Sequence, residues 1–244
     1  SRKDHAGMNI TDNLKKIGAE FQIEVINDEL IYEDLIDEEL KKRFDFDFIV
    51  FASKHRSEKQ VKTLSVHPIG NWNKADFGGK DNTLCLSSAL ILKHFFKILG
   101  KNSVNSGYEV SMEATHHGPY IETPSLFIEI GSTLNEWKDE IAGRIIAKTI
   151  VESVNTFDKN KKYKVALGIG GLHYCRNFNK IQLGNEFAIS HIIPQYAFPF
   201  DERKIREAFE KTTEKMTCGL IDWKGLGKAE QKNQVLEILK KFNI

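Results

Sequence analysis

Short apolar segments alternate with longer amphipathic ones along this chain of 244 residues, and this alternation is what most constrains the fold. Residues 125–132 and 163–171 have the length and apolar content of buried strands. Helix signals follow them, since residues 133–136 form a capping box and Asp201 precedes a segment with one apolar face. Strands that alternate with helices build sheets whose strands are mostly parallel. The sequence therefore predicts an α/β fold with a mixed, mostly parallel sheet and helices on both faces.

The longest apolar run, residues 84–100, is interrupted by Lys93, His94 and Lys97. It is too short and too polar to span a membrane, so we expect a buried helix that ends at Gly100. No repeat, low-complexity tract or linker divides the sequence. We therefore expect one domain over residues 1–244.

The N-terminal part of the chain gives weaker signals. We expect a short helix that runs from a cap at Thr11 or Asp12 to Ile17. Residues 21–33 alternate in polarity and predict a hairpin that turns at Asn27 and Asp28. Residues 44–53 then predict a strand.

Composition excludes some classes of protein. The 35 basic and 34 acidic residues give a net charge of +1, so no overall positive charge indicates a nucleic-acid partner, although a local basic patch is still allowed. Cys85, Cys175 and Cys218 are far apart and form no CxxC pair, which predicts reduced thiols. The first thirty residues show no secretory signal, and we expect a cytoplasmic protein.

Residues 109–119 are the clearest candidate site. An alternating strand pattern ends at Glu113, and His116 and His117 follow before a Gly-Pro pair. Ligands of open α/β sheets bind at such strand ends. Because neighbouring strand side chains point to opposite faces, one metal held by both histidines requires a backbone turn between them. The alternative is a hydrogen-bonded corner in which Glu113 only fixes a histidine tautomer.

Further histidines, glycines and cations follow other predicted strands. Lys54, His55 and Arg56 come after the strand in residues 44–53 and could bind an anion, or form a solvated basic loop. Glycine, asparagine and histidine residues follow two more strands, at residues 67–71 and 170–173. Seven of the eight histidines, all except His94, lie in or beside predicted loops, which favours a shared cleft.

Known catalytic signatures narrow the chemistry further. The sequence has no phosphate-binding loop, no HExxH, no paired CxxC and no GxSxG. Zinc is allowed by the supply of histidines but is not required by their spacing. Hydrolysis by an activated water is the chemistry that remains.

Several motifs in one order resemble the archaeal and plant type of D-aminoacyl-tRNA deacylase. They are EATHHGP at 113–119, SVHPIGN at 65–71, GIGGLHY at 168–174 and the opening SRKDHAGMNI, with SLFIEIGST and IDWKGL beyond them. The resemblance implies a fold like those of peptidyl-tRNA hydrolase and nucleoside phosphorylase. It also implies a zinc-dependent cytoplasmic enzyme that cleaves the ester between a D-amino acid and the terminal ribose of tRNA. The family usually has a short strand before the position of Ser1, so we expect a sheet element ahead of this sequence.

On this basis we expect Glu113, His116 and His117 to be catalytic and to be the ligands of Zn²⁺. Glycine amides would stabilise the oxyanion, and three cations would hold the CCA end of the tRNA. The residues expected to bind substrate are Lys54, Arg56, His67, Gly70, Asn71, Gly170, Gly171, His173 and Arg176. The partner would be tRNA that carries a D-amino acid, bound by a monomer with no obligate protein partner.

Two other functions fit the same residues. A peptidyl-tRNA or other aminoacyl-ester hydrolase would differ mainly in whether its pocket admits a blocked amino group. A non-catalytic tRNA-binding module would use its histidines only as structure.

Overall fold

A computed structural model describes residues 1–57 and 60–244, and its strands form two sheets. The first sheet has the order β1-β4-β2-β3. Strand β2 is antiparallel to β4, whereas β1 is parallel to β4 and β3 is parallel to β2. The second has the order β6-β5-β7 and is parallel throughout. The strands are β1 (Ile49–Arg56), β2 (Thr63–His67), β3 (Glu109–Met112), β4 (Ser125–Ser132), β5 (Lys164–Ile169), β6 (Phe187–Ile193) and β7 (Met216–Ile221). The predicted mixed, mostly parallel α/β architecture is confirmed, although its strands are divided between two sheets.

The helices connect and cover these strands. In the described residues they are α1 (His5–Lys16), α2 (Ile36–Lys41), α3 (Ala89–Asn102), α4 (Leu134–Trp137), α5 (Glu140–Thr156), α6 (Arg176–Leu183), α7 (Glu202–Glu210) and α8 (Ala229–Lys241), with short 3₁₀ helices at Leu30–Tyr32 and Gln195–Ala197. None of the helices in the described part of the chain is both long and apolar enough to cross a membrane. The likeness to peptidyl-tRNA hydrolase and nucleoside phosphorylase folds stays a prediction.

The two faces of the four-stranded sheet differ in chemistry. On β4, Leu126, Ile128 and Ile130 belong to a core cluster that also contains side chains of α1, α3 and α5. Phe127 and Glu129 alternate with them and therefore point to the other face. Helices α1, α3 and α5 thus cover the first face. The opposite face, called the polar face below, carries buried polar side chains beside a smaller apolar cluster that includes Phe51 and Phe127.

The segment after β3 joins the two sheets. The amide of Ala114 donates to the carbonyl of His173 at 2.9 Å. Thr115 bonds with Ile192 of β6 twice, through its amide at 3.2 Å and its hydroxyl at 2.9 Å. The predicted catalytic stretch therefore lies at the junction of the sheets.

Several predicted elements near the N-terminus are wrong. Helix α1 begins at His5, because the side chain of Asp4 caps it by accepting the amide of Gly7. Residues 21–33 form no hairpin. The amide of Arg2 bonds with Ile26, and Lys3 forms an ion pair with Asp28 at 2.6 Å, so this segment pairs with the N-terminus instead of with itself.

Helix limits elsewhere also differ from expectation. Helix α3 begins after its cap, Ser88, and continues through Gly100 to Asn102. The predicted capping box at Thr133 is confirmed, but it opens the short helix α4, and Asp139 then caps α5 separately. Helix α7, which Asp201 caps, ends at Glu210, and strand β7 begins at Met216.

Lys93 connects α3 to the end of α6. Its side chain is 1% exposed, and its ammonium donates to the carbonyls of Gln182, Gly184 and Phe187 at 2.6, 2.7 and 2.7 Å. Burial lowers the pKa of Lys93 to about 8, so the amine still carries its proton at neutral pH. This cation satisfies three carbonyls in the turn between α6 and β6.

Replacing Lys93 by methionine keeps most of the volume but removes the donor from those carbonyls. Because an unpaired buried polar group costs about 1–3 kcal/mol, we expect Lys93→Met to lower the free energy of unfolding by about 2–4 kcal/mol. Urea denaturation measures this. In the matched control Lys97→Met, only a surface contact with Asn185 is lost, and the change should stay below about 0.5 kcal/mol. Equal losses in the two variants would contradict the structural role of Lys93.

Candidate active site

The polar face of the four-stranded sheet carries a buried cluster of histidines and carboxylates. His55 lies on β1, His67 ends β2, Glu113 follows β3 and Glu129 lies on β4. Their exposed fractions are 7%, 0%, 0% and 2%. Each strand thus contributes one ionisable group, and the sheet fixes the spacing between them.

Glu113 lies at the centre of the cluster. Its Oε2 is 3.2 Å from Nδ1 of His55, 2.9 Å from Nε2 of His173 and 3.6 Å from Nε2 of His116. Burial would raise the pKa of Glu113, but the charge on His55 and the contact with His173 outweigh burial and hold the pKa well below its usual value. Glu113 is therefore an ionised carboxylate in a dry environment.

Glu129 is a second buried carboxylate. Its Oε2 is 3.4 Å from Nε2 of His67 and 3.6 Å from Nδ1 of His55. Burial would raise its pKa, but these two histidines outweigh burial and lower the pKa to about 2. In turn, burial lowers the pKa of His55, but the charges of Glu113 and Glu129 prevail and raise it to about 11. His55 is therefore a cation that compensates the two carboxylates, and Glu129 also outweighs burial and raises the pKa of His67.

Three histidines use the same ring nitrogen to contact the backbone. Nδ1 of His67 lies 3.0 Å from the carbonyl oxygen of Pro68. Nδ1 of His116 lies 2.7 Å from that of Ala114, and Nδ1 of His117 lies 2.6 Å from that of Gly118. A carbonyl only accepts, so each Nδ1 carries a proton and each Nε2 is left to face the cluster. This is the arrangement that orients histidines toward a metal.

A backbone turn brings His116 and His117 to the same side. His117 has a φ of +43°, in the left-handed region that residues other than glycine rarely adopt. The centroids of the two rings are consequently 4.3 Å apart. A backbone turn at this point is the condition stated above for one metal ion to be held by both histidines.

His116 and His117 are uncharged in this environment. Burial lowers the pKa of His116 well below its usual value, and the charge of His67 lowers it further. Burial and the charge of His67 lower the pKa of His117 to about 4. Neutral imidazole is the form that accepts a proton or binds a metal.

The cluster is open on one side. The side chains of His116 and His173 keep 20% and 33% of their surface exposed, whereas Glu113 has none. These two histidines therefore lie on the solvent-facing side of the cluster, with the carboxylates beneath them.

Three groups of side chains could hold a metal ion. In each group the ligand atoms all lie within 4.8 Å of one another. The groups are His67 with His116 and His117, His55 with Glu113 and His173, and His67 with Glu113 and Glu129. Nitrogen and carboxylate ligands of this kind suit Zn²⁺ among several divalent cations.

The glycine amides expected to bind an oxyanion have internal acceptors. The amide of Gly70 donates to His117 at 3.0 Å, that of Gly170 to Ile193 at 2.8 Å, and that of Gly171 to Gly225 at 3.3 Å. The expectation that these amides lie open to a ligand is therefore wrong. The side chain of Asn71, the next expected ligand contact, donates to the carbonyl of Gly78 at 2.8 Å.

The expected cations lie outside the cluster. Lys54 and Arg56 alternate with His55 along β1, so they point away from it. Lys54 forms an ion pair with Glu29 at 3.2 Å, and Arg176 forms one with Glu109 at 3.1 Å. Arg56 is exposed at the end of its strand. That these three hold the CCA end stays a prediction.

Two members of the cluster, His55 and Glu129, were not among the predicted catalytic, substrate-binding or metal-binding residues. His55 was expected after a strand, either binding an anion or in a solvated basic loop, but β1 continues through it, so its side chain shares a face with Phe51. Glu129 was not predicted because the other residues of its strand are mostly apolar. A single carboxylate inside such a strand is itself a signal, because a buried charge needs partners.

The remaining histidines do not share the cleft. His5 is exposed at the start of α1, and His94 lies in α3 as predicted. His191 lies in β6, fully buried, with Nε2 3.0 Å from the carbonyl of Lys211. The expectation that seven histidines lie in or beside loops is therefore wrong.

A separate apolar cavity of about 610 Å³ lies on the other side of β1. Leu14, Val50 and Phe95 are among its lining residues. Convergent ionisable groups favour the histidine cluster over this cavity as the chemical site.

The fold and the cluster define an α/β protein with the ionised carboxylates and neutral imidazoles that hydrolytic chemistry uses. A model of the D-aminoacyl-tRNA deacylase family matches residues 42–244. The chain therefore belongs to the D-aminoacyl-tRNA deacylase family.

Individual relatives agree with this assignment. The D-aminoacyl-tRNA deacylase of Pyrococcus furiosus is 43% identical over 203 residues, which cover 82% of this chain and 73% of the relative. That of Archaeoglobus fulgidus is 38% identical over 215 residues, which cover 81% and 77%. A crystal structure of a conserved protein of unknown function superposes with a TM-score of 0.87 at 32% identity, covering 99% of this chain and 90% of that one.

The left-handed backbone at His117 makes a testable prediction about stability. A non-glycine residue in this region is strained by about 1–2 kcal/mol, which glycine avoids. We therefore expect His117→Gly to have a free energy of unfolding about 1 kcal/mol higher than His117→Ala, as measured by urea denaturation. At His116, which has no positive φ, the alanine variant should be at least as stable as the glycine variant. The same order at both positions would contradict the strain.

Proposed function

We propose that this chain hydrolyses the ester bond between a D-amino acid and the terminal ribose of tRNA, with the histidine cluster as its catalytic centre. Family membership supports the proposed reaction, and the cluster supports the proposed location of the active site. The observation that carries the site assignment is a set of buried polar side-chain atoms that face one another. Both Oε atoms of Glu113, Oε2 of Glu129 and Nε2 of His67 are buried without an aligned hydrogen bond in the described structure.

A cation would resolve this arrangement. Nε2 of His116 faces Oε2 of Glu113 at 3.6 Å, and His116 is uncharged, so two acceptors oppose each other. Such a contact is favourable only when a cation or a proton lies between the two atoms. We therefore propose that His116 and His117, with His67 or Glu113, hold Zn²⁺. When bound, Zn²⁺ lowers the pKa of a water molecule and polarises the ester carbonyl.

The side chains have distinct roles in this proposal. Glu113 and His173, which are 2.9 Å apart, act as a pair: the imidazole accepts a proton from the attacking water, and the ionised carboxylate orients the imidazole. His55 stays charged and keeps Glu113 ionised in the interior. Glu129 orients His67 at 3.4 Å. His116 and His173, which are partly exposed, meet the ester as it enters.

The wider setting of the reaction follows from the substrate. A tRNA substrate places the enzyme in the compartment of protein synthesis, and we propose that it is a cytoplasmic, monomeric enzyme that contributes to translation quality control. We also propose that residues 1–244 act as one domain, because Glu113 lies between backbone bonds to both sheets.

The activity is tested with matched D- and L-tyrosyl-tRNA under single-turnover conditions. The parent protein should deacylate the D-form and largely spare the L-form. Glu113→Gln and His116→Ala should each lower the rate by about a hundred- to ten-thousand-fold, the usual effect of losing a general base. His94→Ala, remote from the cluster, serves as the matched control and should keep the parental rate. Equal rates on the two enantiomers would refute the stereospecific proposal. Turnover of N-blocked substrates alone would favour a peptidyl-tRNA hydrolase.

Metal binding is tested independently of turnover. The parent protein should retain zinc after dialysis and should melt at a lower temperature after chelation, because the ion binds only the folded cluster. His67→Ala should reduce zinc affinity by about ten-fold or more, whereas His94→Ala should not change it. Elemental analysis and thermal denaturation give the two readouts. A parent protein with neither zinc nor a shift in melting temperature would leave a metal-free histidine base.

A further inference from the structure

Two large aromatic side chains are exposed on loops beside the cluster. Phe77 is 64% exposed, and Tyr196 is 57% exposed. Isolated exposed apolar residues are ordinary on protein surfaces, so their exposure alone indicates nothing. What distinguishes these two is that rigid backbone holds each beside a histidine of the cluster.

Close backbone packing fixes Phe77 beside His117. The carbonyl of Phe77 accepts the amide of Gly118 at 3.0 Å. A Cβ atom on Gly78 would lie 1.7 Å from the carbonyl oxygen of Ile31, and one on Gly118 would lie 2.3 Å from the amide nitrogen of Gly79. Three backbone segments therefore meet with no room for side chains between them. The ring of Phe77 projects from this rigid contact into solvent.

Tyr196 is held on the other side of the cluster. Its hydroxyl lies 3.3 Å from Nδ1 of His173, whose Nε2 contacts Glu113. The preceding residue, Gln195, donates its amide to the carbonyl of Gly171 at 2.9 Å. The phenol is thus oriented by a histidine of the cluster while most of its ring stays exposed.

A buried lysine ties the two aromatic loops together. Lys204 is 1% exposed, and its ammonium donates to the side chain of Asn73 at 3.0 Å, to the carbonyl of Pro199 at 2.8 Å, and to that of Ala197. Asn73 belongs to the loop of Phe77, and Ala197 follows Tyr196. One internal cation therefore fixes both loops relative to each other.

We propose that Phe77 and Tyr196 stack on the unpaired bases at the 3′ end of tRNA, an inference that rests on the proposed function. The reacting ester is attached to the terminal ribose, so the terminal base must lie within a nucleotide's length of the cluster, and the bases before it follow at the same spacing. Aromatic rings stack on any base, and rings on rigid backbone lose little entropy when they do so. We assign a phosphate of the same strand to Lys80, which is exposed beside Gly79 and whose ammonium lies 3.6 Å from the centroid of the Tyr120 ring.

Binding of uncharged tRNA tests this proposal without any need for turnover. The intact transcript is compared with one that lacks the three 3′-terminal nucleotides. The parent protein should lose affinity by about 5- to 150-fold for each stacked base that is removed. Phe77→Ala should bind the intact tRNA more weakly and lose correspondingly less on trimming. Val104→Ala should behave as the parent, because Val104 is 69% exposed in the loop before β3, at the end of that strand opposite the cluster.

Variants at Tyr196 separate stacking from the hydroxyl contact. Tyr196→Phe keeps the ring and should keep the parental affinity for intact tRNA, whereas Tyr196→Ala should lose affinity as Phe77→Ala does. Stacking involves no charge, so the salt dependence of binding should be unchanged in Phe77→Ala. Lys80→Ala should reduce the slope of the logarithm of affinity against the logarithm of salt concentration by about one, the effect of losing one phosphate contact.

The outcomes distinguish this proposal from the activity itself. If Phe77→Ala and the parent lose the same factor on trimming, the ring does not contact the 3′ end and the stacking proposal is wrong. Parental turnover of D-tyrosyl-tRNA would then leave the proposed function standing. If the parent shows no turnover but Phe77→Ala reduces the effect of trimming, the stacking site is supported and the enzymatic proposal fails. Unchanged melting temperatures in the variants verify that they fold.

Discussion

The structure depends on keeping two carboxylates ionised in the interior. Glu113 has no exposed surface and Glu129 has 2%, and an isolated charge in such a place would cost far more than a domain's net stability. His55, at the edge of the sheet, supplies the opposing charge to both. The polar face of the sheet is therefore an electrostatic unit in which each group has its ionisation state set by its neighbours. Neutral His116 and charged His55 both contact Glu113, and their different environments push their pKa values in opposite directions.

Geometry at the junction of the sheets keeps these groups in place. Glu113 and His116 flank the backbone bonds of Ala114 and Thr115, which join the first sheet to the second. The left-handed turn at His117 then aims a further ring into the same space. Strain at this residue is maintained because both sides of it are already fixed. A site on such a frame needs little rearrangement to meet its substrate.

Local signals identified the elements that local interactions define. Strand β4 and the cap at Thr133 were predicted at their observed positions, because hydrophobic run length and side-chain capping act over a few residues. The motif containing Glu113 likewise located part of the cluster. Elements defined by distant partners were not predicted. Asp4 caps α1 and also binds the amide of Lys54, which no local pattern reveals. Glu129 was missed because its partners lie on two other strands.

The bonds between Thr115 and Ile192 join residues 77 positions apart in the chain. Contacts of such long range form late in folding, because closing a long loop costs entropy before any contact compensates for it. Neither sheet alone contains the whole cluster, so a chain still emerging from the ribosome has β1 to β4 but not His173. The cluster is then a product of the final docking step. A chain in which the two sheets have not docked lacks the contact between His173 and Glu113, so folding of the second sheet decides when the cluster is complete.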